Sequence, residues 1–426
     1  MTMTMRRAAV GLLMLAGALA QADRTEACGG CFAPPQTIQV VTDHRMVLSL
    51  SRDRTVLWDQ FRYTGRPEDF SWILPIRNGP GVIIEEADNL FLQAIDDVAA
   101  PIVNPAPTPS CNLSSGGFAF GSSDSAGAAP RSSAVDAGVN VINEQVVGPY
   151  QVATLAATDP MALRTWLQSN GYAVPAVISP IIDHYVALRM DFVAVRLRPN
   201  TEITQMKPLR IITPGYNPSL PLRMIAAGVA DKVGLVLTVI SESRIEAMNF
   251  PNGEVSNADL VWDYDNPTSA ASDFLAQFNR INRANNNRVW LTESAQTQSR
   301  FAIDNAMQQR CGGRFGGPVQ QNCLDSRVNP ADSQVAFQPF GDSAFVTRLR
   351  ADLNATALDR DLQLAASDRG ARLRTYDYGV LRNDPCTTPR SKFEGCSARP
   401  GETGSTGLAA LCVAALAACA VARRRR

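Results

Sequence analysis

The hydrophobic positions change period several times along the chain, and each change predicts an element. Phe70, Trp72, Leu74 and Ile76 recur at every second position after the turn-forming run Gly65-Arg66-Pro67, the spacing of a strand with one face buried. Residues 37–76 as a whole read as strands and turns. Ala87, Leu90, Phe91, Ala94 and Ile95 then fall at helical intervals, which predicts a short amphipathic helix. Residues 101–140 are rich in Pro, Ser, Gly and Ala and poor in large apolar side chains, so they read as a flexible insertion.

Order resumes with residues 146–157 as a strand. Asp159 can cap the helix that follows, Pro160 suits its first turn, Leu163, Trp166 and Leu167 make its apolar stripe, and Asn170-Gly171 closes it. Ser179-Pro180 starts another helix that turns Ile181, Ile182, Tyr185 and Leu188 toward a core. Val193, Val195 and Leu197 alternate as a strand, residues 209–212 form a second, and residues 233–240 are apolar enough for a central one. Beyond Ser269 the chain is more polar, with one helix predicted around Phe274, Leu275, Phe278 and Ile281 and another around Phe345, Leu349 and Leu353. The sum is an α+β body: a mixed, largely antiparallel sheet with covering helices, a flexible insertion and a disulfide-stapled C-terminal extension. No repeat of solenoid period is present.

The two ends follow different rules. Arg6 and Arg7 precede an uncharged run from residue 8 to 20, with small residues at Ala18 and Ala20, the pattern of a secretion signal cleaved after Ala20 or Ala22. At the other end a small polar spacer (401–407) leads into the uncharged apolar residues 408–422 and then Arg423, Arg424, Arg425 and Arg426. At about 1.5 Å per residue the apolar piece is just long enough to cross a membrane core as a helix, and the arginines would stay on the cytoplasmic side.

Export changes the charge and the cysteine chemistry. The whole chain has 40 basic and 40 acidic residues. Without the two basic residues of the signal, and the five basic and one acidic residues after Cys396, the body keeps 33 against 39, a net charge near −6. A mildly acidic body without basic clusters argues against nucleic-acid binding, which depends on neutralising phosphates. Six cysteines fall in the body: Cys28, Cys31, Cys111, Cys311, Cys323 and Cys386. In an oxidising compartment that even set predicts up to three disulfides, with connectivity left open beyond a preference for the local loops 28–31 and 311–323.

Candidate chemistry is thin. His44 and His184, the two histidines of the chain, each follow an aspartate. A hydrolase or metal site would need them, whereas the helical setting of His184 at the border of an apolar stripe is that of a structural residue. Gly341-Asp342-Ser343-Ala344 has the look of an esterase serine turn, but no histidine follows it, which excludes a triad in that order. Cys28-Gly29-Gly30-Cys31 has redox spacing without the preceding strand and following helix of a thioredoxin-like site, and Phe32 stands where haem attachment needs histidine. Asp263-Tyr264-Asp265-Asn266 lacks the glycine and distal glutamate of a calcium loop and reads as a polar turn. The sequence thus predicts no catalytic set, no metal and no cofactor.

Four separated segments occur in the order of a known family: Cys28-Gly-Gly-Cys31-Phe32, Gly65-Arg-Pro-Glu-Asp-Phe-Ser-Trp-Ile-Leu-Pro75, Val147-Gly-Pro-Tyr150 and Trp166-Leu-Gln-Ser-Asn-Gly-Tyr172. In these the chain resembles the bacterial domain-of-unknown-function 2330 family over most of 28–300, which implies a class and a location but no transferable catalytic residues. Cys396, the polar spacer, the apolar run and the arginine cluster resemble the myxobacterial sorting tail (MYXO-CTERM), which implies that processing and anchoring depend on Cys396. The expected organisation is a signal peptide (1–22), the body in two parts (23–100 and 141–300) around the insertion (101–140), a cysteine-containing extension (301–395) and a sorting tail (396–426). The expected role is an exported, envelope-anchored binding or structural module whose partners are the membrane and the export and sorting machinery. The alternatives are a secreted hydrolase using His44 or His184, and a redox protein using Cys28 and Cys31.

Overall fold

A strand that is apolar on both faces needs cover on both sides, and the two main sheets meet that need by packing against each other and under helices. The computed structural model describes residues 31–32, 43–60, 63, 65–106, 139–226, 232–266, 269–310 and 331–384. Its strands are β1 (Cys31–Phe32), β2 (Asp43–Leu50), β3 (Arg54–Gln60), β4 (Ser71–Ile76), β5 (Ile83–Glu86), β6 (Ile102–Val103), β7 (Val139–Val147), β8 (Tyr150–Ala157), β9 (Asp191–Leu197), β10 (Leu209–Pro214), β11 (Ser219–Leu220), β12 (Lys232–Ser241), β13 (Ile245–Ala247), β14 (Asn252–Gly253), β15 (Val261–Asp263), β16 (Trp290–Ser299), β17 (Ser343–Asn354), β18 (Leu362–Ala366), β19 (Thr375–Tyr376) and β20 (Val380–Arg382). The helices are α1 (Asn89–Ala99), α2 (Pro160–Ser169), α3 (Ser179–Ala187), α4 (Leu222–Ala226), α5 (Ser269–Ala284), α6 (Arg300–Arg310) and α7 (Ala331–Phe337).

One sheet has five strands in the order β1-β4-β9-β8-β7, antiparallel throughout. The other has eight, β14-β16-β17-β12-β2-β3-β10-β5, antiparallel except for the β12–β2 and β14–β16 pairs. Side-chain alternation sorts the core into layers. Met46, Leu48, Leu235 and Leu237 of the larger sheet meet Trp72, Leu74, Val193 and Val195 of the smaller one in a shared central core. The opposite face of the smaller sheet, with Ile73, Leu155, Phe192 and Ala194, packs under α2 and α3. The opposite face of the larger sheet, with Val47, Val56, Trp58 and Val346, packs under α1, α6 and α7. The body is therefore a helix–sheet–sheet–helix stack, a mixed α+β fold dominated by antiparallel pairing.

This layering revises three expectations. The alternation at 70–76 predicts a strand with one polar face, yet every residue of β4 is buried, because β4 lies in an inner layer. Residues 146–157 are not one strand: Gly148, with φ 51°, and Pro149 reverse the chain, so Val146 and Val147 end β7 and the partner strand starts at Tyr150. The helix expected around Phe345, Leu349 and Leu353 is β17, paired with β12 on one side and β16 on the other. A spacing of four keeps residues on one face of a helix and equally on one face of a strand. The run Val346-Thr347-Arg348-Leu349-Arg350-Ala351 alternates across the sheet, with Leu349 and Ala351 in the central core and Val346 in the outer one. Part of the expected extension thus lies in the middle of the larger sheet.

Leu188, expected to face the core with Ile182 and Tyr185, is instead exposed at the C-terminal end of α3, while other expectations hold. Asp88 caps α1 through Leu90 N at 2.8 Å, and Phe91 and Ile95 are buried. Asp159 caps α2 by accepting from Met161 N and Ala162 N, and β12 is central. Of the expected insertion, residues 102–103 form β6 and 139–140 begin β7, while 107–138 lie outside the described residues. Among the described residues no helix is long and apolar enough to cross a membrane, and the expected span 408–422 is not among them.

Candidate functional site

The end of α2 builds a cleft on the helix-covered face of the five-stranded sheet. Gly171 N donates to Gln168 O at 3.1 Å and Tyr172 N to Leu167 O at 2.9 Å, the paired bonds of a helix closed by a left-handed residue. Gly171 is that residue, with φ 77°. The reversal returns the Tyr172 ring onto Trp166, stacked with centroids 6.0 Å apart and planes 28° from parallel. Ser71 Oγ accepts from Ala173 N at 2.8 Å and ties the segment to β4.

Strand register supplies the floor. Val146, Gln151, Arg196 and Ser71 are successive partners across β7, β8, β9 and β4, so they form one row on one face. The Arg196 guanidinium carbon lies 5.5 Å from the Tyr172 ring centroid. A Cβ at position 171 would come within 2.6 Å of Arg196 Nη1, so glycine there provides both the turn and the room for the guanidinium. The open cleft is about 390 Å³, lined by Glu144, Gln151, Trp166, Asn170, Tyr172 and Arg196 among others. That volume falls in the range of small-molecule sites.

The polar groups of this cleft are not spent on one another. Gln151 Oε1 is buried without a hydrogen-bond partner, a state that costs about 1–3 kcal/mol unless something donates to it. Arg196 and Glu144 line the same cleft, and among the described residues neither has an ion-pair partner. Burial pushes the Tyr172 hydroxyl up to about 12, so it is neutral over the physiological range. The arrangement offers one guanidinium donor, two side-chain acceptors and the indole of Trp166, half-exposed. It holds no nucleophile paired with a base.

His44 occupies a different place. Side chains of β2 and β3 bring its Nε2 within 3.1 Å of Asp59 Oδ1, both groups being fully buried in the central core. Desolvation lowers His44 to about 4 and raises Asp59 well above the usual carboxylate range, so both are neutral. The adjoining cavity, walled by Met46, Trp72, Leu220 and Met224, is about 20 Å³, room for one water and no substrate. His184 is half-buried on α3 with its ring edge-on to Tyr185 at 5.3 Å. The two histidines lie in different layers and are not brought together.

The remaining candidates are as follows. Ser343 is the exposed first residue of β17. Residues 263–266 form a turn in which Asp263 accepts from Asp265 N at 3.0 Å. Cys31 is described only by its pairing with Trp72 in β1–β4. Cys28, Cys111, Cys311, Cys323, Cys386, Cys396 and Arg423 to Arg426 lie outside the described residues, and with them the expected disulfides and sorting tail. Trp166, Asn170 and Tyr172 belong to a segment already singled out in the sequence. Gln151 and Arg196 do not, and the one local signal is an arginine placed between Val195 and Leu197 after the apolar run Phe192-Val193-Ala194.

A family model described as an uncharacterized protein conserved in bacteria (DUF2330) matches residues 22–365. The chain belongs to this family. The DUF2330 match spans both main sheets and every residue of the cleft, and runs further than the segments 28–300 that carry the resemblance in sequence, through β17 and into β18. No curated protein and no solved structure matches the chain.

Proposed function

We propose that this DUF2330 protein is an exported, envelope-anchored binding module, and that the cleft beside α2 takes a small, hydroxyl-rich ligand. The observation that carries the binding half is the unpaired set of polar groups, Gln151, Arg196 and Glu144, around the half-exposed indole of Trp166. Planar amide, carboxylate and guanidinium groups beside an aromatic ring suit a saccharide, whose hydroxyls take hydrogen bonds edge-on while its C–H face lies on the ring. Titrating the purified full chain with neutral and acidic monosaccharides, followed by ligand-observed NMR, tests this. Trp166→Ala is expected to weaken binding about tenfold, while saccharide binding unchanged in that variant would remove the cleft from consideration.

The location half of the proposal is supported by residue pattern: the basic start and apolar run of 6–20, and the Cys396–spacer–apolar–arginine order that resembles the myxobacterial sorting signal. The tail anchors the protein in this reading, with Cys396 as the processing residue. Cell fractionation is expected to find the wild type in the envelope and Cys396→Ala displaced from the surface. Surface retention equal in both would remove the role given to Cys396.

A further inference from the structure

We infer that the ligand of the cleft is a saccharide bearing a carboxylate, with Arg196 as the residue that reads the acid; this rests on the reading of the cleft as a saccharide site. The fully buried arginines among the described residues, Arg210, Arg244, Arg300 and Arg348, are matched to carboxylates. Arg210 meets Glu85 and Asp332, Arg348 meets Glu293 and Asp96, and Arg244 meets Glu246 and Glu254. Arg196 has no such partner among the described residues although it is half-buried in the sheet.

The surroundings preserve that open valence. Tyr172 fixes the guanidinium by its ring and not by an acceptor, and Gly171 keeps a side chain from displacing it. A guanidinium so placed presents its N–H fork to a planar two-oxygen acid, the geometry in which arginine binds best. Gln151, its cross-strand neighbour, has a buried oxygen in need of a donor. An acid alone supplies no such donor at neutral pH. A hydroxyl on the same ring does.

Glu144 sets the charge. It lines the same cleft without pairing to Arg196, so the lining carries one positive and one negative group. A ligand with a single negative charge can turn it to Arg196 and its hydroxyls to Glu144. A phosphate dianion brings a second charge that Glu144 opposes. The cleft therefore favours a uronic-acid type of ring over a sugar phosphate.

The test uses a matched pair, methyl β-glucuronide and methyl β-glucoside, which differ only in whether C6 is a carboxylate or a hydroxymethyl group. Calorimetry on the full chain at low salt is expected to show the glucuronide binding about tenfold tighter. The advantage should shrink at about 0.5 M salt, since the site is open to solvent. Arg196→Gln should abolish the preference, so that the two glycosides bind the variant with equal affinity, and Arg196→Lys should keep part of it. Equal affinities in the wild type, or a preference that survives Arg196→Gln, would overturn the inference while leaving the saccharide reading intact. Glucose 6-phosphate binding tighter than the glucuronide would also overturn it. Binding of none of the three would overturn both.

Discussion

Asp332→Ala is expected to lower the unfolding free energy by about 3–5 kcal/mol, measured as a fall in the urea midpoint at unchanged slope. Asp332 stands in the first turn of α7 and is fully buried. Its Oδ1 accepts from Trp58 Nε1 at 2.9 Å and pairs with Arg210, and its Oδ2 accepts from Asp88 N at 2.8 Å. One carboxylate thus joins β3, β10, the start of α1 and α7, and fixes the outer helices on the eight-stranded sheet. Its removal orphans an indole N–H, a backbone N–H and part of a buried guanidinium at once. Glu85, with Oε2 3.0 Å from Arg210 Nε, still holds the other side of that guanidinium and keeps the loss toward the lower end. Trp58→Phe removes one of the bonds and should cost about 1 kcal/mol from that source. A loss under about 1 kcal/mol in Asp332→Ala would mean that water reaches the site and the network does not hold the layers together.

Asp332 shows where the sequence is silent. Nothing around it marks a buried charge, because its partners Trp58 and Arg210 are 274 and 122 residues away. Local features were legible for local reasons. The cap, first-turn proline and closing glycine of α2 act within a few residues, and Asp159, Pro160 and Gly171 all take the expected roles. The four-residue spacing of Phe345, Leu349 and Leu353 fits two periods and so could not separate a helix from β17. The same limit applies to the sites. Trp166, Asn170 and Tyr172 are visible together because one helix end unites them. Gln151 and Arg196 meet only through the β8–β9 register, and His44 meets Asp59, and not the Asp43 beside it in sequence, only because β2 and β3 form a hairpin.

That hairpin yields a pH response that single substitutions should expose. In the folded protein His44 is neutral down to about 4 and Asp59 stays protonated well above 3.8. In the unfolded chain the histidine gains its proton below about 6.5 and the acid loses its own above about 3.9. His44 alone therefore makes stability fall as pH drops from 6.5 to about 4, because the unfolded state then binds the extra proton. Asp59 alone makes stability fall as pH rises from 3.8 toward its elevated folded value, because the unfolded state then releases a proton that the folded state retains. In the shared window each state of the pair binds one proton, so the two slopes cancel and this pair leaves wild-type stability flat. Asp59→Asn removes the second slope and preserves shape. Relative to wild type its stability should climb with pH between about 4 and 6.5 by about 3 kcal/mol, at about 1.4 kcal/mol per pH unit. His44→Gln should show the opposite slope, and the double variant none. Urea titrations at intervals of pH check the slopes, and nitrogen shifts of the His44 ring check the cause. An imidazole that titrates at or above 6.5 in the folded protein would mean a charged pair in the core and would overturn the neutral one.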